Sequence, residues 1–204
     1  MISIDPKVQD ERDNYKLLIG SVVPRPIAFV TTLSADGVLN AAPFSYFSIV
    51  SSNPPMLSVS VQRKNGIAKD TARNAMLKGE LVIHIVDEDN VAAVNETAAN
   101  LLPHESEIER TNLTPVASEA VAVPGIQESK IRMECVLEQA VALNDAEQRP
   151  AADLLIVRVV RFHVSEEELY EKGRIDAAKL KPVSRMAGNI YAALGDMFTI
   201  ERPL

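Results

Sequence analysis

Apolar and polar residues alternate at period two in several segments of this chain, and nothing else in the sequence restricts the fold as much. Residues 56–62 place Leu57, Val59 and Val61 on one side and Ser58, Ser60 and Gln62 on the other. Successive side chains of an extended strand point to opposite faces, so this spacing predicts a strand with one apolar face. Residues 131–143 begin the same way, with Ile131, Met133, Cys135 and Leu137 set against Arg132, Glu134 and Glu138. Residues 26–33, 80–86 and 152–164 are rich in apolar and β-branched side chains and predict further strands. Ser34-Ala35-Asp36-Gly37 separates residues 26–33 from a return strand over 38–42, and its Asp-Gly pair is a hairpin signal. Pro43 is expected to interrupt the pairing that follows.

Short helices are expected between the strands. Asp70 is placed to cap a helix running to about Lys78, with Gly79 ending it. Asp89 is placed to cap another, with Val91, Val94, Ala98 and Leu101 on one face. Ser165, with Glu168 three residues on, has the spacing of a capping box. Residues 104–124 read as polar and irregular. Alternating strands with one wet face and a leading hairpin favour a small antiparallel barrel over a doubly wound parallel sheet. Neither a G-x-G-x-x-G nor a G-x-x-x-x-G-K-[ST] sequence is present, which argues against dinucleotide-fold and P-loop domains.

At 204 residues with no repeat or low-complexity tract, one domain over 1–204 is expected, with its core at about 15–165 and an extension at 166–204. The net charge of −7 argues against general nucleic-acid binding, which needs a basic face. The first six residues lack the basic-then-apolar pattern of a secretory signal, and no run approaches the ~20 apolar residues of a membrane helix. Cys135 is the sole cysteine, so no internal disulfide can form, and a cytoplasmic setting is expected.

His84, His104 and His163 show no metal-ligand spacing, and structural or surface roles are expected for all three. Cys135 falls on the apolar face of its strand and reads as an inert thiol. More informative is the stretch from Arg63 through Lys64, Asn65, Gly66, Lys69 and Asp70 to Thr71, where three cations meet a glycine turn and a helix start. Loop amides, a helix dipole and cations together bind anions, but a plain basic surface loop has the same composition. Residues 40–48 (Asn40, Ala41, Ala42, Pro43, Phe44, Ser45, Tyr46, Phe47, Ser48) read as a crossover. It either exposes amides to a flat ligand or packs two aromatics into the core.

In order along the chain stand Pro24-Arg25-Pro26-Ile27-Ala28-Phe29-Val30-Thr31-Thr32, Asn40-Ala41-Ala42-Pro43-Phe44-Ser45-Tyr46-Phe47, Asn53-Pro54-Pro55 and Lys69-Asp70-Thr71-Ala72-Arg73-Asn74. Arg185-Met186-Ala187-Gly188-Asn189-Ile190-Tyr191 follows, close to an R-x-G-G-x-x-Y element but with Ala187 in place of the first glycine. Taken together, this series resembles the flavin reductase-like family, including flavoredoxin-type proteins. The resemblance implies a mainly β, FMN-binding split barrel: a six-stranded antiparallel Greek-key barrel with short peripheral helices. It implies a homodimer with FMN near the interface. It implies cofactor contacts from Thr32, Asn40, Ala42, Pro43, Phe44, Ser45, Tyr46, Ser60, Arg63, Lys69, Asp70 and Thr71, the last three near the phosphate. Arg185 and Tyr191 would stand on the substrate side. The implied activity is hydride transfer from NADH or NADPH to FMN, with a monooxygenase or other redox partner downstream. The alternative is a flavoredoxin-type electron carrier or an FMN-dependent oxidoreductase of another substrate.

Overall fold

The computed structural model describes residues 1–99, 101–102, 104–165, 170–171 and 173–203. Helix α1 (Glu11–Ser21) leads into strands β1 (Arg25–Pro26), β2 (Ala28–Leu33), β3 (Leu39–Phe44), β4 (Phe47–Ser52) and β5 (Pro55–Gln62). Helix α2 (Asp70–Lys78), strand β6 (Glu80–Ile85) and helix α3 (Val91–Glu96) follow. Two short strands, β7 (Pro115–Val116) and β8 (Gly125–Ile126), precede the long β9 (Ile131–Asn144) and β10 (Pro150–Val164). The chain closes with β11 (Tyr170–Glu171), β12 (Arg174–Ile175), helix α4 (Ala177–Leu180), β13 (Ser184–Arg185) and β14 (Tyr191–Ala192).

Seven strands form one antiparallel sheet in the order β3-β2-β6-β9-β10-β5-β4. Its two end strands, β3 and β4, are consecutive in the chain and separated only by Ser45 and Tyr46. Such a short link obliges the sheet to curl until its ends meet. No ladder joins β3 to β4 among the described residues, so the barrel is split along that seam. The Ser60 amide donates to the Tyr46 carbonyl at 2.9 Å, which carries the β4–β5 pairing one residue into the link. The expected split barrel is therefore present, with β4 as a strand beyond the six read from sequence. Residues 40–48 are not a loop but the end of β3, a two-residue link and the start of β4. Pro43 stands in the ladder opposite Phe29. A residue without an N–H is tolerated there because β3 ends the sheet and only one of its edges is paired.

The barrel interior is filled by Val30, Leu57, Val59, Val61, Leu81, Ile83 and Leu155, as the alternation of β5 predicts. Strands β2 and β6 are buried on both faces, which explains why their sequences are near-continuous apolar runs. Outside the barrel, Ile27 and Phe29 pack with Val94, Ile108, Ile126 and Val183 in a second layer. The expected wet face is therefore covered here, and Glu134 of β9 is fully buried rather than solvated. Its carboxylate accepts amides from Glu119 (2.8 Å), Ala120 (2.5 Å) and Val121 (3.1 Å), and lies 2.5 Å from His163 Nε2. Burial pushes this carboxyl up, but the hydrogen bonds outweigh it and hold it below the usual range.

His84 performs a structural task in the same layer. Its Nδ1 donates to the Phe29 carbonyl at 2.9 Å, and its Nε2 accepts the Ile126 amide at 2.9 Å. That pattern requires the neutral Nδ1–H tautomer, and burial lowers its pKa to about 4. Cys135 is buried as expected, and burial drives its thiol up to about 12. Helix α3 differs from expectation at both ends. Asp89 does not cap α3; the Asp87 carboxylate takes the Asp89 and Asn90 amides at 3.0 and 3.1 Å. Helix α3 ends at Glu96, so Ala98 and Leu101 lie beyond it. The capping box at Ser165 falls on residues 166–169, outside the described residues. No described helix is long and apolar enough to cross a membrane.

Candidate functional site

The barrel seam opens onto a groove made of two clefts. One, of ≈ 380 Å³, lies between the Ser45–Tyr46 link, the end of α1 and the β1–β13–β14 sheet. The other, of ≈ 490 Å³, lies against the start of α2. Pro43, Phe44, Lys69 and Ala98 line both, so the two are continuous. Each falls in the size range of cofactor and ligand sites. Among the described residues, no histidine or cysteine lines either cleft.

Helix α2 begins at Asp70 with Lys69 as its N-cap, and no side chain caps it. The first helical turn leaves amides without intrahelical acceptors, and here the Asp70, Thr71 and Ala72 amides meet none among the described residues. Asp70 is thus not the cap expected from sequence; its carboxylate pairs with Arg73 one turn on. The ammonium groups of Lys64 and Lys69 line the same cleft and have no ion-pair partner among the described residues. An uncapped helix start with two unspent cations is the donor set that a phosphate dianion requires.

Beneath this end lies a closed polar network. Asn40 Oδ1 accepts the Thr71 hydroxyl at 2.9 Å and the Thr32 hydroxyl at 3.3 Å, and Asn74 Nδ2 donates to Thr32 at 3.3 Å. Asn40 Nδ2 donates to both Glu107 oxygens at 3.0 and 3.1 Å, and the Ala41 amide adds a bond at 3.1 Å. Burial lifts the Glu107 carboxyl above the usual range despite these bonds. The Thr71 hydroxyl hydrogen is spent on Asn40, so its contribution at the helix start is its amide. Glu107 went unnoticed in the sequence because it sits in an irregular stretch 67 positions from Asn40 and belongs to no recognisable pattern.

The structure brings most of the implied set together. Asn40, Ala42, Pro43, Phe44, Lys69, Asp70 and Thr71 line the α2 cleft. Ser45, Tyr46 and Ser60 line the other, with Arg185 and Tyr191 on its far wall. Two residues stand apart. Thr32 is fully buried and lines neither cleft, and so supports Asn40 from below. Arg63 is also absent from both walls: Asp153 holds its guanidinium at 2.6 and 2.9 Å, and the Gly66 carbonyl takes a third bond at 3.1 Å. Its part is to order the 63–67 turn. Ala187 is accommodated without strain, because the left-handed backbone falls on Gly188, at φ +60°.

Arg185 lies over the Tyr191 ring at 4.5 Å from its centroid, and the Tyr191 hydroxyl donates to Asn95 Oδ1 at 2.8 Å. Arg25, missed as a site residue, also lines this cleft although it is only 6% exposed. Its guanidinium donates to the Ile19 carbonyl (2.8 Å) and the Met186 carbonyl (2.7 Å), which ties α1 to the 186–190 loop.

Comparison with known proteins gives a consistent answer. The flavin reductase like domain family matches residues 19–179. A Bacillus subtilis protein, YwrF, is 56% identical over 94% of each chain. The crystal structure of nitrilotriacetate monooxygenase component B from Bacillus cereus superposes with a TM-score of 0.96 at 64% identity over 98% of each chain. Pseudomonas fluorescens 2-nitrobenzoate 2-nitroreductase NbaA follows at 0.88 and 27% identity, over 99% of this chain and 96% of that one. The groove joins an uncapped helix start at one end to a mixed wall of Pro43, Phe44, Tyr46, Arg25 and Arg185 at the other, and with the family model covering residues 19–179 this chain belongs to the flavin reductase-like family.

Proposed function

We propose that the protein binds FMN along the groove and reduces it with a nicotinamide donor, NADH or NADPH. The observation that carries this is the uncapped start of α2, which opens with Lys64 and Lys69, neither of them ion-paired among the described residues, onto a wall made by Pro43 and Phe44. When bound, FMN would supply the hydride-accepting ring. The chain's own residues hold and orient. The α2 amides, Lys69 and Lys64 would grip the phosphate. The segment from Ala42 to Tyr46, with Ser60 behind it, would form the bed of the ring. The Asn40–Glu107–Thr71 network keeps the helix start and β3 in fixed relation, so that phosphate and ring are placed by one rigid unit. Hydride transfer asks no side chain to donate or remove a proton, which suits a groove lined, among the described residues, by no histidine or cysteine. Thr32 and Arg63 are left out of the cofactor set.

The resemblance to a monooxygenase component B supports delivery of reduced flavin to a monooxygenase partner. We place the working unit as a homodimer with FMN near its interface, in the cytoplasm. The exposed apolar residues Tyr15 and Leu18 of α1 and Ile49 and Val50 of β4 are available for such contact. The test is an FMN titration followed by flavin fluorescence, then anaerobic addition of NADH or NADPH to the loaded protein. Saturable binding, weakened in Lys69→Ala, with bleaching of the yellow band, is expected. Bound yellow flavin that neither nucleotide bleaches would make the protein an electron carrier instead. Unaltered affinity in Lys69→Ala would refute the phosphate assignment.

A further inference from the structure

The chain carries a net charge of −7, yet the wall of the 380 Å³ cleft holds Arg25, Arg185 and Lys69 and no carboxylate among the described residues. Arg25 and Arg185 are direct ladder partners in the β1–β13 pair. Residues directly opposite in an antiparallel ladder project to the same face, so the two guanidinium groups share one side of the small sheet. Neither has an ion-pair partner among the described residues. Arg25 is almost wholly buried with its Nη atoms spent on carbonyls and its Nε without any partner, so its hydrogen bonds are largely met but its charge is not neutralised. Arg185 spends one Nη on the Gly188 carbonyl at 2.6 Å, and its Nε and other Nη meet no acceptor among the described residues. The Tyr191 ring beneath it fixes the plane of this open fork.

An uncompensated buried charge behind an open guanidinium favours an oxyanion in front of it. The α2 end of the groove already has its own anion site, so this second one serves a different group. We infer that Arg185, backed by Arg25, forms an anion subsite that takes the diphosphate of the nicotinamide dinucleotide. The inference rests on the proposed FMN reduction for its choice of ligand. A diphosphate fits better than a single carboxylate because two charged arginines at adjacent ladder positions present more positive charge than one carboxylate neutralises. Arg185 is a binding residue for the donor, and Arg25 is a positioning residue that also supplies field.

Arg25 joins three segments, so its removal threatens the fold, and the test falls on Arg185. In FMN-loaded protein, calorimetric binding of NADP+ and of inorganic pyrophosphate is measured for the wild type, Arg185→Lys and Arg185→Glu. A charge-assisted hydrogen-bond pair corresponds to roughly a ten- to hundredfold change in affinity. Arg185→Glu is expected to lose that much for both ligands, and Arg185→Lys to lose less. Pyrophosphate is expected to compete with NADP+, and FMN affinity to stay at the wild-type value in both variants. Equal NADP+ affinity in all three proteins would overturn the subsite. So would binding of benzoate, but not pyrophosphate, at Arg185. Weakened FMN binding in Arg185→Glu would also overturn it, by showing that the phosphate end lies here. Failure of FMN to bind the wild type would instead sink the underlying reading.

Discussion

The two ends of the groove handle charge in opposite ways. Against α2, cations are mixed with the carboxylates of Asp70 and Glu107, and the hydroxyls of Thr32 and Thr71 are locked to Asn40. Against β1 and β13, there are arginines and no acids among the described residues. The first end is a finished construction that needs one anion to complete the helix start. The second is an open field with a mobile-length side chain at its front. A closed network suits a ligand that stays, and an open fork suits one that comes and goes.

The largest test of this contrast is acid. His84 anchors Phe29 and Ile126 of the outer layer, which also holds Ile108 next to Glu107, and its pKa is lowered from 6.5 to about 4 by burial. Above pH 6.5 the ring is neutral in folded and unfolded chains alike, and stability is unaffected. Between 6.5 and 4 the unfolded chain takes up a proton that the folded chain refuses, so stability falls as pH falls, by about 3 kcal/mol in all at 1.36 kcal/mol per unit. Urea melts at steps across this range would show the loss in the wild type and flatten in His84→Gln. A wild-type curve without slope would break the link between that layer and the α2 end.

Next in size is Glu107→Ala. It leaves Asn40 Nδ2 and the Ala41 amide buried without acceptors, at about 1–3 kcal/mol each. A lower urea midpoint and weaker FMN binding are expected together, because the same network sets the helix start. Donor binding at the Arg185 end should change little by comparison. Loss of stability with intact FMN affinity would separate the network from the site.

The third effect is Lys69→Ala, expected to weaken FMN binding roughly tenfold or more, as removal of a charge-assisted contact does, and to leave the urea midpoint in place since the ammonium has no ion-pair partner among the described residues. A shift in midpoint as large as that of Glu107→Ala would erase the distinction between ligand-facing and supporting residues. The smallest is Cys135: with its thiol pushed up to about 12, the folded protein should resist iodoacetamide at neutral pH and react only when unfolded.

How legible these ends were in the sequence follows the range of the interactions that build them. The hairpin at Asp36-Gly37, the α2 stop at Gly79 and the apolar face of β5 are local, and period and turn chemistry reveal them: Gly37 and Gly79 both take the positive φ that their positions demand. The basic turn before α2 is likewise local. Glu107 and Arg25 are not. The first acts through Asn40, the second through carbonyls of α1 and of the 186–190 loop, and neither partnership leaves a short-range pattern. Glu134 shows the same limit. Alternation assigns it correctly to the outer face of β9, but only the fold puts a loop over that face. Arg63 shows the same limit from the other side, since a basic turn gives no sign that Asp153, 90 residues away, holds its guanidinium.

The link of Ser45 and Tyr46 closes the barrel and borders the groove at once. A strand has a two-residue repeat, so one inserted residue here would turn one flanking strand inside out relative to the other. Length variation among descendants of such a chain is therefore confined to places like the solvent-facing turn at Asp36, while the seam is held to a fixed residue count. Specificity can drift by exchanging side chains around the groove, but the groove's frame cannot be lengthened without losing the container.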